Sequence, residues 1–168
     1  MSNPFFLDTN VLLYATLQPD PRSDAARALL ARRGTINVQV LNEFANVASR
    51  KLSHPWPEIT RTLAAIRTLC APPLPLTPAI HEAGCAIAGR TGYHLYDALI
   101  IAAALEAGCA TLFSEDLHDG QVIDGRLTIR NPFAGQVLHA AAPRHLKGNA
   151  RSWSLSISST WRGSYAAG

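Results

Sequence analysis

Four acidic residues stand where solvation alone does not explain them: Asp8, Glu43, Asp97 and Asp116. Asp8 directly follows the apolar run Phe5-Phe6-Leu7, and Asp116 follows Thr111-Leu112-Phe113 within three residues. If both runs are parallel strands, both carboxylates stand at carboxyl ends, where open α/β sheets place ligand crevices. Asp97 falls in the first turn of the most apolar helical segment, and Glu43 borders an apolar helical stripe between Val40 and Val47. Singly, each has a plain structural explanation as a strand-end turn former, a favourable charge at a helix N-terminus or a rim charge. Gathered together they do not, because buried unpaired carboxylates are costly and like charges raise each other's pKa. A divalent cation resolves the conflict. Carboxylates without nearby His or Cys suit Mg²⁺ or Mn²⁺ rather than zinc. The chemistry that follows is metal-assisted phosphodiester hydrolysis, in which one or two ions activate water and stabilise charge on the attacking and leaving oxygens.

The elements that must position these residues follow from patterning. Strands are expected at Phe5–Leu7, Ile36–Val38, Thr111–Phe113 and Leu127–Ile129, with a short one at Leu74–Leu76. Val11-Leu12-Leu13 suits either helix or strand. Ser23 or Asp24 can cap a helix over Ala25–Arg33, with Gly34 ending it. Further helices are expected over Val40–Leu52, over Glu58–Leu69, and from a Thr77-Pro78 start to about Arg90. Asp97–Ala107 is apolar nearly all round and should be buried on most sides. Asp119-Gly120 and Asp124-Gly125 are turn dipeptides. Strands alternating with helices give an α/β domain with a mainly parallel sheet.

Composition narrows the functional classes. The 168 residues are 48% apolar and 16% charged, which fits one globular domain and excludes general disorder. No apolar stretch approaches the ~20 residues that cross a bilayer, so no membrane role is expected. The first residues carry no basic region or small-residue cleavage site, so secretion is not expected. Cys70, Cys85 and Cys109 show no Cys-x-x-Cys and no close Cys/His pairing, which favours reduced thiols in a cytoplasmic protein. The net charge of +3 belongs to the end of the chain: Arg144, Lys147, Arg151 and Arg162 have no acidic counterpart there. Residues 1–142 hold 11 basic and 12 acidic residues, so overall charge says little about nucleic acid.

Four blocks, in order, carry a resemblance. They are Phe6-Leu7-Asp8-Thr9-Asn10-Val11-Leu12, Asn42-Glu43-Phe44, Tyr96-Asp97-Ala98-Leu99-Ile100 with Ala102-Ala103-Ala104, and Ser114-Glu115-Asp116-Leu117 with Gly120. Together they resemble the PIN-domain ribonucleases, most closely the VapC-type toxins of bacterial toxin–antitoxin pairs. The resemblance implies a three-layer α/β/α domain over residues 1–133 with a single acidic pocket. Residues 134–168 depart from the family pattern and form an extension expected to be disordered or weakly ordered.

By position, the resemblance makes Asp8, Asp97 and Asp116 the metal-site carboxylates, holding one or two Mg²⁺ or Mn²⁺ ions. Glu43 completes the set directly, through water, or as proton acceptor. Thr9, Asn10 and Ser114 match polar neighbours that orient carboxylates, water or phosphate. Asp119 either reaches the pocket or opens a turn, and Glu115 is expected to face away. The resemblance also implies an RNA substrate, a homodimer, and a VapB-like antitoxin whose C-terminal segment occupies the toxin groove.

Other candidates are weaker. His94 and His118 flank the pocket in sequence, but the six histidines show no metal-type spacing. Arg22, Arg50 and Lys51 either guide an RNA backbone or lie on solvated faces. Two competing readings use the same acidic set. An aspartyl-phosphate phosphatase with Asp8 as nucleophile needs an acid two residues on, where Asn10 stands. A non-cleaving RNA-binding or scaffold module would keep the fold without the chemistry.

Overall fold

In β1 (Phe5–Leu7) three successive apolar side chains are all buried, a pattern met by a strand covered on both faces. The computed structural model describes residues 4–17 and 19–135. In chain order the remaining elements are α1 (Thr9–Thr16), α2 (Ser23–Ala31), α3 (Val38–Arg50), α4 (Trp56–Leu69), α5 (Pro78–Thr91), α6 (Leu95–Glu106), β2 (Thr111–Phe113), β3 (Val122–Ile123) and β4 (Leu127–Arg130). The ambiguous Val11–Leu13 segment is helical. The sheet order is β1-β2-β4-β3. β1, β2 and β4 run parallel, and β3 pairs antiparallel with β4. This last hairpin turns through Asp124 and Gly125 at φ 52° and 65°, and Arg126 N donates to Ile123 O at 3.1 Å. Left-handed conformations at both central positions make the tight turn that matches strand twist.

The core runs through all the layers. It joins β1, α1, one face each of α3, α4 and α5, and an unbroken run in α6 from Ala98 to Ala104. α5 lies closely on α6: a Cβ on Gly84 would come within 2.7 Å of Leu99 Cδ2. Among the described residues no helix is long and apolar enough to cross a membrane.

Three local expectations are corrected. Ile36–Val38 is not a strand, because Asn37 Oδ1 accepts from Val40 N at 3.0 Å and starts α3 at Val38. Only single parallel bridges remain on that side, Phe6 with Thr35 and Asn37 with Leu74, so Leu74–Leu76 is not a strand either. Second, neither Ser23 nor Asp24 caps α2. Arg22 holds the cap position without a side-chain capping bond to the helix, while Ser23 Oγ accepts from Asp20 N at 3.2 Å.

Third, Gly34 does not end that helix through a left-handed turn; Arg33 does, at φ 59°. Gly34 is there for space, since a Cβ would lie 2.6 Å from Phe5 Cε2 and 2.7 Å from Leu7 Cγ. Gly34→Ala is therefore expected to destabilise the domain by about 1–3 kcal/mol through overpacking on β1. The small gain from a stiffer unfolded chain does not offset this. Urea denaturation would show the loss as a lower midpoint at unchanged slope. Residues 136–168, most of the expected extension, lie outside the described residues.

Candidate active site

The parallel register aligns Phe5, Phe6 and Leu7 with Thr111, Leu112 and Phe113, so β1 and β2 end at the same level. The next residues out are Asp8 and Ser114, side by side at the carboxyl edge of the sheet. Asp8 N donates to Phe113 O at 3.0 Å and continues the ladder. Its side chain then caps α1, Oδ1 accepting from Thr9 N at 2.6 Å. Oδ2 accepts from Ser114 Oγ at 2.6 Å and from Asn10 Nδ2 at 3.2 Å. One strand end, one helix start and one neighbouring strand thus fix this carboxylate.

Asn10 ties a second acid to the first. Its Nδ2 also lies 3.3 Å from Asp116 Oδ2 and 3.4 Å from Ser114 Oγ, while Asp116 N donates to Ser114 Oγ at 3.2 Å. Glu43 enters from α3, where Oε1 accepts from Gln39 Nε2 at 2.8 Å and Oε2 from Thr9 Oγ1 at 3.3 Å. Asp97 comes from the first turn of α6.

The electrostatics show all four acids in one neighbourhood. Burial pushes Asp8 up to about 7, with Asp97 and Asp116 adding like charge and the Ser114 and Thr9 bonds opposing the rise. Glu43 is pushed up to about 7 by burial and by Asp8 and Asp116. Asp97 likewise rises to about 7, through burial and then Glu43 and Asp116. Asp116 is raised by burial and by the charge of Glu115, and eased down by the Asn10 bond and by the charges of Lys51 and Arg22. Removing the Ser114 hydroxyl is expected to raise Asp8 further. A carboxyl ¹³C titration of Ser114→Ala would show that shift, and Mn²⁺ affinity near pH 7 should fall about tenfold.

The donor set is hard oxygen throughout, which fits Mg²⁺ or Mn²⁺ in kind. Asn10 Oδ1 is buried without a hydrogen-bond partner among the described residues, a further oxygen able to accept from bound water. The set is not a closed cage: among the described residues no three His, Cys, Asp or Glu side chains converge tightly enough to grip an ion together. The Asn10 amide lies between Asp8 and Asp116, 3.2 and 3.3 Å from their Oδ2 atoms. Mg²⁺ binds through one or two carboxylates and keeps several waters, so convergence of three is not required.

Other predicted residues separate cleanly. Asp119 Oδ1 accepts from Asn131 N at 2.9 Å, a bond to the end of β4 rather than to the acidic group. Glu115 turns from the acidic group toward Tyr14 and Arg22. His118 Nδ1 lies 3.1 Å from Tyr93 Oη, and His94 occupies the cap position of α6 without a capping bond. One spacing was overlooked. His81 and Cys85 are four residues apart on α5, which brings Nε2 within 3.6 Å of Sγ.

The PIN domain model matches residues 5–118. The chain belongs to the PIN domain family. The match covers β1 through the Ser114–Asp116 loop and so includes every acid of the cluster. No curated protein matches the chain. Among the solved structures that resemble the chain are three toxin or toxin–antitoxin structures, whose likeness shows the fold. The sarcin–ricin-loop-cleaving toxin VapC20 of Mycobacterium tuberculosis is 23% identical, with a TM-score of 0.56 over 67% of this chain and 91% of that one. A toxin–antitoxin complex from Klebsiella pneumoniae is 20% identical, with a TM-score of 0.58 over 77% and 97%. VapBC2 of Rickettsia felis, bound to a promoter DNA fragment, is 19% identical, with a TM-score of 0.56 over 76% and 97%.

Proposed function

We propose that this PIN domain is a Mg²⁺- or Mn²⁺-dependent endoribonuclease, the toxin of a VapC-type pair restrained by a VapB-like antitoxin. The observation that carries the reading is the grouping of Asp8, Glu43, Asp97 and Asp116 about the carboxyl edge of β1 and β2, all four raised by burial, and Asp8, Glu43 and Asp97 also by the charge of others in the set. Asp8, Asp97 and Asp116 would hold the metal between them, one or two by direct ligation and the rest through its water shell, and Glu43 would ligate it directly or through water. Bound there, one or two ions supply Lewis-acid activation of water and charge neutralisation at the scissile phosphate. Ser114 and Thr9 orient the Asp8 carboxylate by hydrogen bonds to its two oxygens. Glu43, pushed up to about 7, is poised to take a proton from the attacking water near neutral pH.

The antitoxin reading is supported by likeness to the Klebsiella and Rickettsia complexes, and by exposed Leu95 and Tyr96 beside Asp97, an apolar foothold at the rim of the site. A cytoplasmic homodimer is the assembly proposed. The phosphatase reading gains nothing, because Asn10 donates to Asp8 where that chemistry needs an acid. The test incubates the purified chain with structured RNA and Mg²⁺ or Mn²⁺. Cleavage that stops on adding EDTA is expected. Cutting that persists in EDTA, or RNA binding without cutting, would count against it.

A further inference from the structure

The loop that carries Asp116 is gripped from two sides by one helix. Its side chains alternate: Ser114 faces Asp8, Glu115 faces the other way, and Asp116 faces Asn10. Both Glu115 oxygens are held. Oε2 accepts from Tyr14 Oη at 2.7 Å, and Oε1 accepts from Arg22 Nη1 at 2.5 Å. The rest of the Arg22 fork lies on Asp20, with Nε to Oδ1 at 2.7 Å and Nη2 to Oδ2 at 2.8 Å. The guanidinium also stacks on the Tyr14 ring, 3.9 Å from its centroid. The Tyr14 ring also meets the Phe133 ring edge-to-face, with centroids 5.3 Å apart.

Asn10 and Tyr14 are four residues apart on α1 and so share a face. That face holds Asp116 through the Asn10 amide and Glu115 through the Tyr14 hydroxyl. The Asp20–Arg22 segment closes the grip from the connection between α1 and α2. Every polar group in this cluster is partly buried, and its four side chains span some 100 positions of sequence, more than a solvated surface pair requires.

We propose that Tyr14 and Arg22 are positioning residues for Asp116, clamping Glu115 so that the next residue is held toward Asp8 and Asn10. The consequence for metal binding rests on the nuclease reading above; the clamp itself does not. Arg22 is thereby committed to the protein and is not an RNA-backbone contact.

The test uses the full chain and four variants. Tyr14→Phe removes one hydroxyl and keeps the ring on Phe133; Arg22→Gln removes the fork; Arg22→Lys keeps charge without the planar fork. Arg27→Gln, from an exposed pair with Asp24, is the control. Amide hydrogen exchange is followed in EDTA over residues 113–121, and free Mn²⁺ is titrated by electron paramagnetic resonance. Tyr14→Phe and Arg22→Gln are expected to speed exchange in that segment about tenfold and to weaken Mn²⁺ binding about tenfold. Cleavage by these variants should lose kcat at unchanged KM for RNA, with partial recovery in Arg22→Lys. Unchanged exchange overturns the clamp, and faster exchange with unchanged Mn²⁺ affinity overturns its link to Asp116. A raised KM at intact kcat would make Arg22 an RNA contact instead. Faster exchange in variants of a wild-type chain that binds no Mn²⁺ would support the clamp and sink the nuclease reading.

Discussion

Asp8→Asn is expected to lower metal-dependent RNA cleavage by about 10²–10³-fold, the scale of losing one preorganised electrostatic group in a reaction centre. The substitution is close to isosteric, so the effect is electrostatic. Asp8 Oδ2 accepts from both Ser114 Oγ and Asn10 Nδ2. An amide NH₂ turned toward these donors would leave them without an acceptor, and turned toward Thr9 N it would lose the cap of α1. In either orientation the negative charge that would draw a cation to the strand end is gone. The fold should survive, because the same change removes repulsion from Asp97 and Asp116. The measurement pairs RNA cleavage with thermal unfolding of the same preparation. Full cleavage by a folded Asp8→Asn protein would place the reaction elsewhere.

The second large effect is on stability against pH. Asp8, Glu43 and Asp97 are each pushed up to about 7 in the folded protein, from ordinary carboxyl values of 3.8, 4.5 and 3.8. Between about pH 4 and pH 7 the native state therefore binds more protons than the unfolded chain. Stability must fall as pH rises through that window. The contribution is complete below about pH 4 and is lost above about pH 7, the reverse of a salt-bridged carboxylate. Because the three groups share interactions, their joint effect is less than independent shifts would sum to and is taken as about 4 kcal/mol, the size of one such shift. That corresponds to a Tm in EDTA roughly 10 °C lower at pH 8 than at pH 5. Mn²⁺ added at pH 8 should restore much of it, since a cation that binds only the folded state stabilises by mass action. Asp97→Asn should raise the Tm in EDTA at pH 8. A drop of several degrees would instead mark Asp97 as a stabilising charge at the start of α6.

Local chemistry made much of this legible in the chain. Phe5–Leu7 is an apolar run cut off by a polar residue, and its three successive buried side chains suit a covered parallel sheet, while Thr111–Phe113 beside it buries Leu112 fully and its two flanking residues in part. Thr77 with Pro78 opens α5, and Gly92 ends it at φ 79°. The all-round apolar character of α6 specified its burial. Acids at strand ends and at the first turn of the most apolar helix already required an explanation beyond solvation.

Other features depended on neighbours that no local pattern names. Asn37 ended an apparent strand because its side chain found Val40 N, and Gly34 was required by Phe5 and Leu7 rather than by its own φ. The His81–Cys85 contact follows from a four-residue spacing on one helix and needs no tertiary neighbour.

Residue types and their order along the chain determined which carboxylates stand at element ends, since burial pattern and capping act over a few residues. Only the tertiary structure decided that Asn10 bridges Asp8 to Asp116 and that Glu115 is taken up by Tyr14 and Arg22. These contacts join positions some 100 residues apart. Their geometry is set by the register of β1 on β2 and by the face of α1 that packs beside it, quantities that arise only when the sheet closes.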